Sequence, residues 1–214
     1  MSAREQTAAG RWRTMLPTEA VALLSSVSAP WWVAGGWALD LYVGERTREH
    51  GDLDIGILRC QARQLIGALA AWEFFEARNG LLSQLEAGRK PRPDVNSLWC
   101  RPIGAASWTM EVLLDASEQD FWVYRRQTKI RRPFTEVIRR SPGDIPYLAP
   151  EVQLLYKARS MRPRDQADFA RVAPRLDPVA RAWLRKSLSA TDPAHTWISA
   201  LDGSATRPSS GSRS

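Results

Sequence analysis

Apolar positions along the chain change their period several times, and each change marks a new element. Over 17–28, Val21, Leu24 and Val27 recur at helical spacing behind Thr18, which suits an N-cap, so a first helix is expected there. Trp31, Trp32, Val33 and Ala34 form a short apolar run ending at Gly35-Gly36, and 37–43 then fits a short helix closed by Gly44. The pattern predicts strand, glycine turn, helix. Over 51–58, small or polar residues alternate with Leu53, Ile55 and Ile57, the period-2 signature of a strand with one buried face. Asp52 and Asp54 then share its other face. Leu65, Ile66, Leu69, Trp72 and Phe75 make an apolar stripe that predicts a helix over 61–77.

Between 81 and 122 several strands are expected, separated by Gly, Pro and Asn and including 95–100 and 109–114; no periodicity encodes their order. From 146 onward the pattern is helical. Pro150 suits a first helical turn ahead of Val152, Leu154, Leu155 and Ala158, and Asp177-Pro178 opens another helix containing Trp183 and Leu188. The Ser- and Gly-rich end, 203–214, buries too little apolar surface to offset ordering entropy and is expected to be a disordered tail. The expected organisation is a flexible N-terminus over 1–16, an α/β (α+β) domain with a mixed sheet flanked by helices over 17–145, a small helical region over 146–202, and the tail.

Composition narrows the class. The chain has 214 residues, 44% hydrophobic and 25% charged, with no apolar run near the roughly 20 residues of a membrane span. The polar start, 1–14, with Arg4, Arg11 and Arg13, leads into no signal-peptide core, so a cytoplasmic protein is expected. Cys60 and Cys100 lie far apart and outside any C-x-x-C pattern; neither a zinc site nor a disulfide framework is indicated, and buried reduced thiols are expected. A net charge of +7 favours anionic partners. Much of it sits in Arg125, Arg126, Lys129, Arg131, Arg132, Arg139 and Arg140, either a phosphate-facing strand edge or a solvated face.

Asp52-Leu53-Asp54 carries the chemistry, because two carboxylates at i and i+2 on one strand face can offer hard oxygen ligands to the same Mg²⁺ ion. Upstream, Gly35-Gly36 lies between strand and helix, where missing side chains let phosphate oxygens approach backbone N–H groups and the positive helix end. The turn matches neither the Rossmann G-x-G-x-x-G nor the P-loop. Thr47, Arg48 and His50, between glycines and aspartates, can donate hydrogen bonds to phosphate or order the acidic strand. His195 has no second histidine placed to form a metal site with it.

The ordered set Gly35-Gly36-Trp37-Ala38-Leu39-Asp40, Gly44, Thr47-Arg48, His50 and Asp52-Leu53-Asp54-Ile55 resembles the polymerase-β-like nucleotidyltransferases, most closely the aminoglycoside 2″-adenylyltransferase and lincosamide nucleotidyltransferase group. Trp37 replaces the serine that many superfamily members carry after the glycines, as in the antibiotic-modifying branch. The resemblance implies a polymerase-β-like fold and an enzyme that moves AMP from ATP, with Mg²⁺, to a hydroxyl of an aminoglycoside- or lincosamide-like antibiotic. Asp52 and Asp54 would hold metal, and Gly35, Gly36, Arg48, His50 and Lys157 would bind the nucleotide. It also implies a third carboxylate from a later strand. Alternation over 108–115 puts Glu111 and Asp115 on one face, and both remain candidates. Lys157 could equally snorkel at the surface, and Asp165 and Asp168 suit the start of a helix. Since aminoglycosides are polycations, a chain of net charge +7 needs a locally acidic pocket to take them. A nucleotidyltransferase acting on RNA or a protein, docked by the arginine-rich stretch, and a non-catalytic nucleotide-binding module are the alternative readings.

Overall fold

The computed structural model describes residues 5–7 and 9–203. Among them, eleven strands join in one mixed sheet. Across it run β1 (Glu5–Thr7), β5 (Leu81–Gln84), β4 (Trp72–Arg78), β6 (Ser97–Pro102), β7 (Met110–Glu118), β3 (Asp54–Leu58), β2 (Trp31–Val33), β11 (Pro146–Leu148) and β10 (Ile138–Arg140). β8 (Phe121–Val123) pairs with the end of β7 and with β9 (Arg131–Pro133). The β3–β7 and β2–β11 pairs are parallel and the others antiparallel. Alternation sends Ile55, Ile57, Leu98, Cys100, Met110, Val112 and Leu114 to one face, where all are buried. The opposite face carries a row of register partners across four strands: Asp54, Glu111, Trp99 and Phe75. Trp108 and Trp12 pack on the aromatic end of that row, edge-on to Phe75 and Trp99 with ring centroids 4.9–5.5 Å apart.

Several elements differ from the periodicity. The helix expected over 61–77 is α3 (Ala62–Ala68) behind a 3₁₀ turn, and Trp72 and Phe75 belong to β4 instead. The aromatic run Trp72-Glu73-Phe74-Phe75 sits between β5 and β6 in the sheet, and pairing on both sides overrides an accidental helical spacing. The first helix, α1 (Pro17–Leu23), is shorter than 17–28: Pro17 is its first residue, so Thr18 lies inside the helix, and Glu19 accepts a hydrogen bond from the Leu16 N–H at 2.7 Å. Both glycines lie within α2 (Gly35–Val43), which Gly44 closes in the left-handed conformation at φ 89°. β3 begins at Asp54, leaving Asp52 on the segment before it.

The chain divides into two units, Met1–Ala149 and Pro150–Ser214, close to the boundary expected at 145/146. Within 1–16, expected to be flexible, β1 pairs with β5 and Trp12 bridges to Trp108. The second unit holds α4 (Pro150–Ala158), α5 (Pro163–Val172), α6 (Pro178–Thr191) and α7 (Trp197–Gly203). Asp177 caps α6 by accepting from the Ala180 N–H at 2.8 Å. Phe169 stacks on Trp197 at 4.1 Å, and His195 Nε2 lies 3.0 Å from the Ala158 carbonyl oxygen. The tail expected from 203 lies outside the described residues beyond Gly203. Both cysteines are free, but only Cys100 is buried; Cys60 is exposed at the turn before α3. No helix among the described residues is long and apolar enough to cross a membrane.

Candidate active site

Register brings the acids together. Asp54 opens β3 directly opposite Glu111 on the parallel strand β7, and the Glu111 N–H donates to the Leu53 carbonyl at 2.9 Å. Asp52 reaches the same place from the preceding segment, so ligand oxygens of Asp52, Asp54 and Glu111 all lie within 4.8 Å of one another. The other candidate carboxylate, Asp115, pairs with Leu58, four residues or about 13 Å further along the strand. It is buried there, and its charge acts on Arg59. Burial and the negative charge of Asp52 push the Glu111 carboxyl above the ordinary glutamate range, against hydrogen bonds from Ser97 and Trp99. Asp52 is exposed, so the cluster is open to a ligand on one side.

The glycines set a second part of the site against the first. Gly35 has φ +65°, and a Cβ there would stand 2.0 Å from Asp54 Oδ2. A Cβ on Gly36 would stand 2.3 Å from Arg48 Nη2 and 2.6 Å from His50 Nδ1. The start of α2 therefore touches the acidic cluster through one glycine, and Arg48 and His50 through the next. The Ala34 N–H, at the helix N-cap, donates to the Asp54 carbonyl at 2.8 Å. His50 is a buried residue rather than an open loop donor, with Nε2 2.6 Å from Asp40 Oδ2.

Lys157 is placed in the second unit and satisfied there: its ammonium lies 3.2 Å from Asp165 and 2.8 Å from Asp168, all three side chains being buried. Asp165 also accepts from the Arg162 backbone N–H at 3.2 Å, the expected capping role. Within the basic stretch over 125–140, Arg131 pairs with Glu118, Arg132 with Glu136 and Arg140 with Asp144, and Arg132 is buried.

A sequence model of the family described as aminoglycoside-2''-adenylyltransferase matches residues 18–172. The chain belongs to this family. It is accordingly a nucleotidyltransferase of the antibiotic-modifying group, and its fold is the polymerase-β-like one. No curated protein sequence matches the chain. Among solved structures, the lincosamide antibiotic adenylyltransferase LnuA with lincomycin bound aligns with 72% of this chain and 92% of its own, at 16% identity and TM-score 0.51. ANT(2")-Ia in complex with adenylyl-2"-tobramycin aligns with 79% of this chain and 92% of its own, at 12% identity and TM-score 0.54. At those identities the structural likeness speaks for the fold.

Two neighbours of Glu111 were not singled out by sequence, and Asp40 was named in the motif without a role of its own. Ser97 and Trp99, which hydrogen-bond Glu111, sit on a strand whose neighbour in the sheet no periodicity reveals. Asp40 had a visible signal, being the one charged residue in the apolar helix GGWALDLYV.

Proposed function

We propose that the chain transfers AMP from ATP, with Mg²⁺, to a hydroxyl of a small antibiotic of aminoglycoside or lincosamide type. The observation that carries this is the convergence of three carboxylates beside a helix that starts on two glycines. The donor set suits a hard divalent cation: three carboxylates supply oxygen ligands, and their mutual repulsion is relieved by a cation. A metal held there would supply positive charge to offset the negative charge developing in the transition state.

Asp52 and Asp54 are the metal ligands in this reading. Glu111, whose carboxyl is pushed upward, receives the proton of the attacking hydroxyl. The hydroxyl oxygen bonds to the α-phosphorus as the bond to the pyrophosphate oxygen breaks. The N–H groups of Gly35 and Gly36, with Arg48, receive the phosphates, favoured by the positive end of α2, while buried His50, held by Asp40, backs Gly36. Asp115, at the other end of the β3–β7 register, and Lys157, neutralised in its own unit, have no part in this scheme. The acidic cluster gives a cationic acceptor local attraction despite the net charge of +7. A fold relative bound to lincomycin and another bound to an adenylylated tobramycin support a hydroxyl-bearing antibiotic as acceptor.

Pyrophosphate release should be measured from ATP and the other nucleoside triphosphates with Mg²⁺, against aminoglycosides, lincosamides and RNA, for wild type and Asp54→Asn. Release that requires an antibiotic and disappears in the variant is expected. Release that persists in Asp54→Asn, or that only RNA elicits, would sink the proposal.

A further inference from the structure

Asp40 is 5% exposed. Its Oδ1 accepts from the Thr47 hydroxyl at 2.5 Å, and its Oδ2 accepts from the Thr47 N–H at 3.2 Å and lies 2.6 Å from His50 Nε2. One turn earlier on α2, the Trp37 ring lies against the His50 ring, tilted by 30° with centroids 4.3 Å apart, and the Arg46 guanidinium lies over the Trp37 ring at 5.4 Å. Arg46 Nε also donates to the Arg48 carbonyl at 3.2 Å. The segment from Gly44 to His50 is thus folded back on α2 and tied at both ends of Asp40's carboxylate. Its free course would be a charged, exposed loop; instead it delivers Arg48 and His50 to Gly36.

We infer that Asp40 is a positioning residue for nucleotidyl transfer, holding Thr47 and His50 so that Arg48 and His50 face the start of α2. The inference rests on the phosphate-binding role proposed above for that helix start. None of Asp40's recorded contacts is with the metal-binding carboxylates; it acts through the loop. A carboxylate suits the place because a hydroxyl, a backbone N–H and a ring N–H all point at it, and each needs an acceptor. Asparagine can fill most of the role: its carbonyl oxygen replaces Oδ2, and its NH₂ donates to the Thr47 hydroxyl, which reverses direction. Alanine removes every acceptor.

The test compares Asp40→Ala, Asp40→Asn and wild type by ATP binding, by KM for nucleotide and acceptor, and by ring-nitrogen NMR of His50. With only two histidines in the chain, its signals are readily separated. Asp40→Ala is expected to raise the nucleotide Kd and KM about tenfold, by exposing two or more unmade hydrogen bonds, while leaving the acceptor KM within about twofold. Asp40→Asn is expected to recover nucleotide binding to within about threefold of wild type, and the hydrogen-bonded Nε2–H signal should persist in it and vanish in Asp40→Ala. If Asp40→Ala does not fold, Thr47→Val removes one donor of the same set and should weaken nucleotide binding selectively. Nucleotide affinity unchanged by these substitutions, or lost in step with acceptor affinity, overturns the inference alone. A wild type that binds no nucleotide overturns the proposed function and the inference with it.

Discussion

Two acidic clusters sit in this chain, one in each unit, and they are built to opposite ends. In the second unit, Asp165 and Asp168 surround the Lys157 ammonium, with Arg162 2.7 Å from Asp165. Burial by itself would raise the Asp165 carboxyl, but the hydrogen bond from Arg162 and the charge of Lys157 outweigh it and hold it below the ordinary range. In the first unit, Asp52, Asp54 and Glu111 crowd within 4.8 Å, and burial together with Asp52's charge drives Glu111 upward. The first kind of cluster carries its own cation and serves the fold. The second gathers three carboxylates whose oxygens lie close enough together to hold a metal ion.

The comparison can be broken most decisively at Asp54. Asp54→Asn should lower pyrophosphate release by about a thousandfold or more, while its melting temperature without metal stays at or above that of wild type, since a repulsive charge is gone. A large loss of stability would assign Asp54 to the fold instead. Next in size, Lys157→Met removes the buried cation shared by Asp165 and Asp168 and should cost about 3–5 kcal/mol in urea unfolding. Unchanged stability with weakened nucleotide binding would give Lys157 back the phosphate role its sequence position suggested. Gly35→Ala forces a side chain into φ +65° and onto Asp54 Oδ2. It should cost about 1–2 kcal/mol in backbone strain and abolish the rise in melting temperature expected on adding Mg²⁺ to the wild type.

The smallest effect is in the pH dependence of metal-free stability. Glu111's folded carboxyl is raised, so its contribution is fully present below the ordinary glutamate range and is lost as pH rises through the raised value. Asp165 is lowered, so its contribution is present above the ordinary aspartate range and is lost as pH falls through the lowered value. Mild acidification should therefore favour the metal-free first unit before stronger acid weakens the second. Glu111→Gln should remove the first change and leave the other; a profile identical to wild type would contradict the upward shift.

Glycine pair, D-x-D and the residues between them were legible as a candidate site because they lie within a short stretch, 35–54, and the antiparallel pairing of β2 with β3 sets the helix start beside the strand start. The choice between Glu111 and Asp115 was not, since both share a face of β7 and only the register with β3 separates them. The same ignorance of strand order made Trp72 and Phe75 look helical and hid Trp99. Lys157 could be read as a phosphate ligand or a surface residue, and neither reading foresaw the carboxylates of α5 closing on it.

By itself, the sequence determined what local chemistry controls: the glycine-led α2, its cap at Gly44, the proline-initiated helices of the second unit, and the close spacing of Asp52 and Asp54. Tertiary structure decided which distant groups meet. Hydrogen-bond register between strands far apart in the chain put Glu111, rather than Asp115, beside Asp54, and burial together with the charge of Asp52 then raised its proton affinity. Backbone propensity and spacing act over a few residues, whereas register, burial and charge pairing are properties of surfaces that exist only once the sheet has assembled.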